Sequence, residues 1–170
     1  KNGKYIQLYE EIRPSSIPSA LDPWLIVNYK IEYLSDLKKE KIVSLGIHLM
    51  TGALKESAFT HLIGRRFSPS PPPFSILRPP SITISEAINR LEKTIIERLM
   101  AESDEWAREA VRRLEEEMKE MEAYYARLPS SAEIMEEKER RLKELRWQYE
   151  PHIEVRPMNQ GIFYLHPSFT

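Results

Sequence analysis

The chain has 170 residues, 41% apolar and 30% charged, with a net charge of −1 and a mean hydropathy of −0.50. That composition describes one domain with a water-facing surface and enough apolar mass for a core. No apolar run is long enough to span a bilayer, and no cysteine is present to build a disulfide framework or a thiolate metal site. A cytoplasmic protein without membrane contact is expected.

The chain opens on Lys1 rather than methionine, so an upstream segment is expected. Charge is distributed unevenly. Residues 1–84 carry 11 basic against 7 acidic side chains, and residues 85–150 carry 13 against 18. The acidic half is a poor phosphate binder, because general nucleic-acid affinity comes from neutralising phosphates with Lys and Arg.

Tyr5–Tyr9 reads as a short strand, after which Pro14 and Pro18 interrupt regular structure. From Trp24 to Tyr33 the odd positions are Leu25, Val27, Tyr29, Ile31 and Tyr33, alternating with Asn28, Lys30 and Glu32. Period two predicts a half-buried strand. Asp36 to Glu40 reads as its turn, and Val43, Leu45, Ile47 and Leu49 resume the odd face. Centring the hairpin on Lys38 sets Tyr33 opposite Val43, Ile31 opposite Leu45 and Tyr29 opposite Ile47.

Phe59, Leu62, Ile63 and Phe67 predict a short amphipathic helix over 56–67. Proline-rich Ser68 to Ser81 excludes helix and central strand, while Phe74, Ile76 and Leu77 suggest a segment laid against the body. Ser85 is the expected N-cap of a helix carrying Ala87, Ile88, Leu91, Ile95 and Leu99. A kink or break is expected at Ser103-Asp104.

Residues 104 to 150 carry the strongest periodic signal. Ala107, Val111, Leu114, Met118, Met121, Tyr125 and Leu128 recur at steps of four and three, the seam of a coiled-coil helix. Pro129-Ser130-Ser131 then predicts a turn, with Ser130 and Glu133 as a capping box. Met135, Lys138, Leu142, Leu145 and Tyr149 form the seam of a returning helix. Twenty-five residues of such an arm would reach roughly 37 Å. In the tail, Ile153 and Val155, then Phe163 and Leu165, flank a turn expected at Asn159. That second hairpin would dock on the first, since two strands are too few to stand alone.

No glycine-rich phosphate loop or nucleophile elbow occurs, so no catalytic residue and no cofactor is expected. In the tail register His152 faces His166 with Glu154 beside them, a weak zinc donor set of two imidazoles and a carboxylate. His48 reads as structural and His61 as a surface residue. Arg65, Arg66 and Arg78 are the basic residues near aromatics, which leaves nucleic-acid binding as a second reading. Partner binding is better motivated at the arm's tip, where Tyr124, Tyr125, Arg127, Leu128 and Ile134 gather near the turn. Tyrosine and arginine are common interface anchors. An exposed seam could also pair between copies as a homodimer.

Several segments resemble the YqhG family of Gram-positive spore-forming bacteria. They are Gly3-Lys4-Tyr5-Ile6-Gln7-Leu8-Tyr9-Glu10, Pro23-Trp24-Leu25-Ile26-Val27-Asn28, Ser44-Leu45-Gly46-Ile47-His48-Leu49 and Trp106-Ala107. Gln148-Tyr149-Glu150-Pro151 and Gly161-Ile162-Phe163-Tyr164-Leu165 complete the set. The resemblance implies a longer N-terminus and no known catalytic residues. It also implies a gene neighbour of the helicase-like Swi2/Snf2 ATPase class, hence a helicase-partner role.

The expected fold is thus a single α+β domain over 1–170, a small antiparallel sheet from two hairpins with a covering helix. Residues 1–84 are its β-rich part with a proline-rich connector at 68–81. Residues 85–150 form a long antiparallel helical arm, and 151–170 the returning hairpin. The expected function is a noncatalytic interaction or adaptor module acting through the arm.

Overall fold

The computed structural model describes residues 5–11, 20–73 and 76–169; Pro14, Pro18 and Phe74 lie outside them. The fold is α+β. Strands β1 (Ile6–Glu10), β2 (Ala20–Leu34), β3 (Lys38–His48), β4 (Leu54–Glu56), β5 (Phe67–Ser68), β6 (Ile76–Leu77) and β7 (His152–Leu165) form a seven-stranded mixed sheet. Its order is β4-β3-β2-β7-β1-β5, with β6 paired to β2. Helices α1 (Ile84–Tyr125) and α2 (Ala132–Tyr149) separate β6 from β7.

The chain divides into two compact units. One comprises Lys1–Ile31, Lys41–Ile96 and Val155–Thr170, and the other Glu32–Glu40 and Glu97–Glu154.

In the first unit, β2 is buried on both faces rather than one: Leu21, Leu25 and Val27 alternate with Trp24 and Ile26, all inaccessible. The even face meets Ala58, Leu62, Leu165 and Phe169 in one apolar cluster, with Phe67 and Phe163 packed against it. The odd face carries Tyr29, whose hydroxyl is pushed up to about 12 by burial and then by the nearby Glu92 carboxylate of α1. Ala87, Leu91 and Ile95 are the buried stripe of α1 here, at the spacing a covering helix requires.

The β2–β3 hairpin forms, but its turn is Ser35-Asp36-Leu37. The Leu49 N–H donates to the Pro23 carbonyl at 2.8 Å, so pairing centres on Asp36 and not on Lys38. Local chemistry explains the shift: Ser35 Oγ donates to Asp36 at 2.8 Å and accepts from the Leu37 N–H at 3.3 Å, closing the turn two residues early. The helix expected over 56–67 reduces to a 3₁₀ turn at Thr60–Leu62, because Ser57 and Gly64 take positive φ at its ends.

The second hairpin does not form. β7 runs unbroken from His152 to Leu165, with Gly161 facing Ile6 of parallel β1. Lying between β2 and β1 gives both edges of β7 a partner, and this outweighs a local turn signal. Asn159 is satisfied in the strand, its Oδ1 accepting from Asn28 Nδ2 at 2.7 Å. A Cβ on Gly161 would sit 3.1 Å from the Phe163 ring, so this glycine serves close approach rather than a turn.

In the second unit α1 passes through Ser103-Asp104 without a break; the Ser103 hydroxyl bonds back to the Met100 carbonyl at 3.5 Å. Thr83, not Ser85, receives the first-turn N–H, from Glu86 at 3.2 Å. Ser131, not Ser130, caps α2 by accepting from Ile134 N at 3.3 Å, so the expected capping box is absent.

The α1 seam also turns. Ala110 is fully buried while Val111 is 45% exposed. The cause is a second set of contacts: Trp106 packs edge-on against Tyr33 at 5.3 Å. Arg113 grips Asp36 through two bonds of 2.7 and 2.8 Å, a charge-assisted fork. That fork, ahead of the other influences, holds the Asp36 carboxyl below its usual range. A depressed carboxyl stabilises above its unfolded value near 4 and loses that contribution as pH falls through the native value. Asp36→Asn is therefore expected to lower the melting temperature at pH 7, and by a smaller amount at pH 3. Parallel thermal melts check this, and equal gaps at both pH values would contradict it.

Candidate partner groove and a buried polar cluster

The turn after α1 brings most of the predicted tip residues together. Tyr124, Tyr125, Leu128 and Ile134 line one groove of about 490 Å³, with Met121, Glu117, Glu120, Glu137 and Arg141 completing it. Tyr124 is 60% exposed, and its ring meets Tyr125 edge-on at 5.3 Å, leaving an aromatic shelf at the mouth. The shelf follows from local structure: the Ala126, Arg127 and Leu128 N–H groups bond back to Glu122, Tyr124 and Tyr125, tightening the helix end.

Arg127 is exposed and does not line the groove. Ile134, expected off the seam, is half-buried, and Met135, expected on it, is exposed. The cap explains the change. Starting α2 from Ser131 presents Ile134, Lys138, Leu142, Leu145 and Tyr149 as its partly covered stripe.

The groove is acidic. Glu117, Glu120 and Glu137 face a single cation, Arg141. That cation already lies within 4.0 Å of Glu137 and 3.7 Å of Glu144. Glu120 and Glu117 lie one and two turns before Tyr124 on α1, but their sharing of a concavity with Glu137 of α2 depends on both helices. Trp147 is a further exposed aromatic residue of α2. It is 80% exposed on the side of α2 away from the stripe of Ile134 and Leu145, a position that helical periodicity does mark.

The first unit holds a different constellation. Asp22 and His48 are each 4% exposed, on neighbouring strands β2 and β3. Asp22 is 3.2 Å from the Arg78 guanidinium and 3.7 Å from His48 Nε2. His48 Nδ1 shares a 2.7 Å hydrogen bond with Thr51 Oγ1, and its ring stacks on Trp24 at 4.9 Å. Burial pushes the imidazole down, Asp22 pulls it back up, and Arg78 pushes it down further. His48 is thus a neutral core group between an ion pair and a turn, and Arg78 is a counter-ion for a buried carboxylate.

Arg65 is likewise engaged. It bonds Glu10 at 2.7 Å and lies over the Phe169 ring at 5.4 Å. Arg66 is exposed, its carbonyl accepting from Glu11 N–H at 2.9 Å. His61 is exposed as expected. The proposed zinc set loses its geometry, since His152 opens strand β7 and His166 follows its last residue instead of facing it across a hairpin. Glu154 lies within that strand. His166 bonds Ser168 at 3.0 Å, and its N–H donates to Glu10 at 2.9 Å. Among the described residues no group of three or more His, Asp or Glu side chains is placed to hold a metal ion. Nor is any helix long and apolar enough to cross a membrane.

Fold and groove together define an α+β protein built on a mixed sheet with two charged helices. The chain belongs to the YqhG family, whose model, described as bacterial protein YqhG of unknown function, matches residues 1–165. It is similar to "Uncharacterized protein YqhG" of Bacillus subtilis (strain 168), with 32% identity over 170 residues. That alignment covers 100% of this chain and 63% of the relative, so the chain spans about 63% of the length of the curated protein it matches. No solved structure matches the chain.

Proposed function

We propose that this chain is a noncatalytic interaction module whose α1–α2 pair, packed as an antiparallel coiled-coil-like hairpin, docks on another protein through the groove beside Tyr124. One observation carries the reading: a largely exposed tyrosine sits at the mouth of a concavity formed by both helices. Exposed aromatic shelves next to pockets are where binding energy concentrates. The first unit supports a scaffold role, because its buried Asp22 lies within ion-pair distance of the half-exposed Arg78 and beside His48, against the core.

Affinity capture of the full-length protein from its native cell, with and without nuclease, tests the reading. A nuclease-resistant protein partner is expected, including any helicase-like ATPase of the kind the family resemblance implies. Tyr124→Ala is expected to weaken capture about 30-fold, the effect of losing a hot-spot contact. Its melting temperature should stay at the wild-type value, because the ring is largely exposed. Undiminished capture by Tyr124→Ala would remove the groove from the mechanism.

A further inference from the structure

The groove's chemistry narrows its occupant. Its floor is apolar, made by Met121, Leu128 and Ile134 under Tyr124 and Tyr125. Its walls carry Glu117, Glu120 and Glu137 against one cation, Arg141, which is itself flanked by Glu137 and Glu144. A purely aliphatic occupant would strip water from these carboxylates without replacing it, a large cost for a charge. A phosphorylated or acidic segment would meet like charge on several sides. A segment that combines aliphatic anchors with lysine or arginine satisfies floor and walls together.

We propose that the groove takes a basic, aliphatic-anchored helix or strand of a partner protein, its cationic heads meeting Glu117 and Glu120 while its apolar side chains cover Met121 and Tyr124. The inference rests on the interaction reading above and specifies the partner's chemistry. A second copy of this chain is the competing occupant. Trp147 stands exposed on α2, with Lys143 and Arg140 one and two turns before it.

Titration calorimetry of the full chain with two synthetic helix-forming peptides decides the matter. One alternates leucine stripes with lysine, and the other carries glutamate at every lysine position. The lysine peptide is expected to bind, more weakly as salt rises, and the glutamate peptide is not. Glu117→Gln with Glu120→Gln should weaken the lysine peptide about five- to tenfold. Glu139→Gln, on a solvated part of α2, should leave it unchanged.

Equal binding of the two peptides, binding of neither, or an unaffected double variant overturns the basic-segment inference. The Tyr124→Ala capture comparison then still reports whether the groove engages any partner, so the two failures are distinguishable. Sedimentation equilibrium completes the test. Self-association abolished by Trp147→Ala would seat a second copy in the groove and would also overturn the proposal.

Discussion

Trp24→Ala is expected to destabilise the first unit by about 3–5 kcal/mol, the usual cost of deleting a large buried aromatic side chain. Trp24 is 2% exposed. One ring face stacks on His48 at 4.9 Å, and Phe169 approaches edge-on at 5.0 Å. Around it lie Ile26, Ala58, Leu62 and Leu165, drawn from separate stretches of chain, so no single local movement can refill the void. The indole N–H has no hydrogen-bond partner among the described residues. A buried unpaired donor is itself unfavourable, and Trp24→Phe should therefore cost only about 1 kcal/mol while keeping an aromatic ring in place. Urea midpoints of the two variants check the pair. Similar losses in both would mean that the indole edge, not aromatic packing, holds this core.

Arg78→Ala is expected to cost about 2 kcal/mol, more than an exposed arginine ordinarily contributes. The reason is its partner, since Asp22 is 4% exposed and would be left as an uncompensated buried carboxylate. The figure is held below the fully buried case because Arg78 itself is about half exposed. Adding Asp22→Asn to the variant should recover part of the loss, giving a measurable coupling between the two sites.

The same variant should alter acid sensitivity. In the native protein burial, aided by Arg78, keeps the His48 value depressed despite Asp22. A histidine depressed on folding contributes fully above its unfolded value near 6.5. That contribution is lost as pH falls from there toward the native value, because the unfolded chain takes up the proton first. Without Arg78 the His48 titration should move upward, and the fall in stability below pH 6.5 should become shallower. Proton NMR of the His48 ring reads the first effect and urea melts at pH 7 and 5 the second. An unmoved titration would show that Arg78 does not influence the imidazole.

Much of the local structure was legible because it depends on side-chain spacing. Leu25 to Tyr33 announce β2, Val43 to Leu49 announce β3, and the apolar rhythm from Ala107 onward announces α1. The tip residues were legible for the same reason. A turn after Leu128 must bring Tyr124 and Tyr125 near the start of α2, and Ile134 does meet them. The acidity of that groove was only half legible. Glu117 and Glu120 lie on α1 and Glu137 on α2, and nothing in their sequence surroundings distinguishes them from the many glutamates beside them.

Which stretches become strand or helix is written in side-chain spacing, since period two and period 3.6 are properties of the chain alone. What those stretches pair with depends on contacts from distant parts of the fold. The tail looked like a hairpin at Asn159 until a place between β2 and β1 supplied hydrogen-bond partners along both edges. Arg78, grouped by sequence with Arg65 and Arg66 as a nucleic-acid candidate, lies 3.2 Å from the buried Asp22. The α1 seam was displaced from Val111 to Ala110 where Tyr33 and Asp36 engage Trp106 and Arg113. In each case the local preference is small, about 1 kcal/mol or less for strand and turn choices, and a single long-range contact of comparable or greater strength can reverse it.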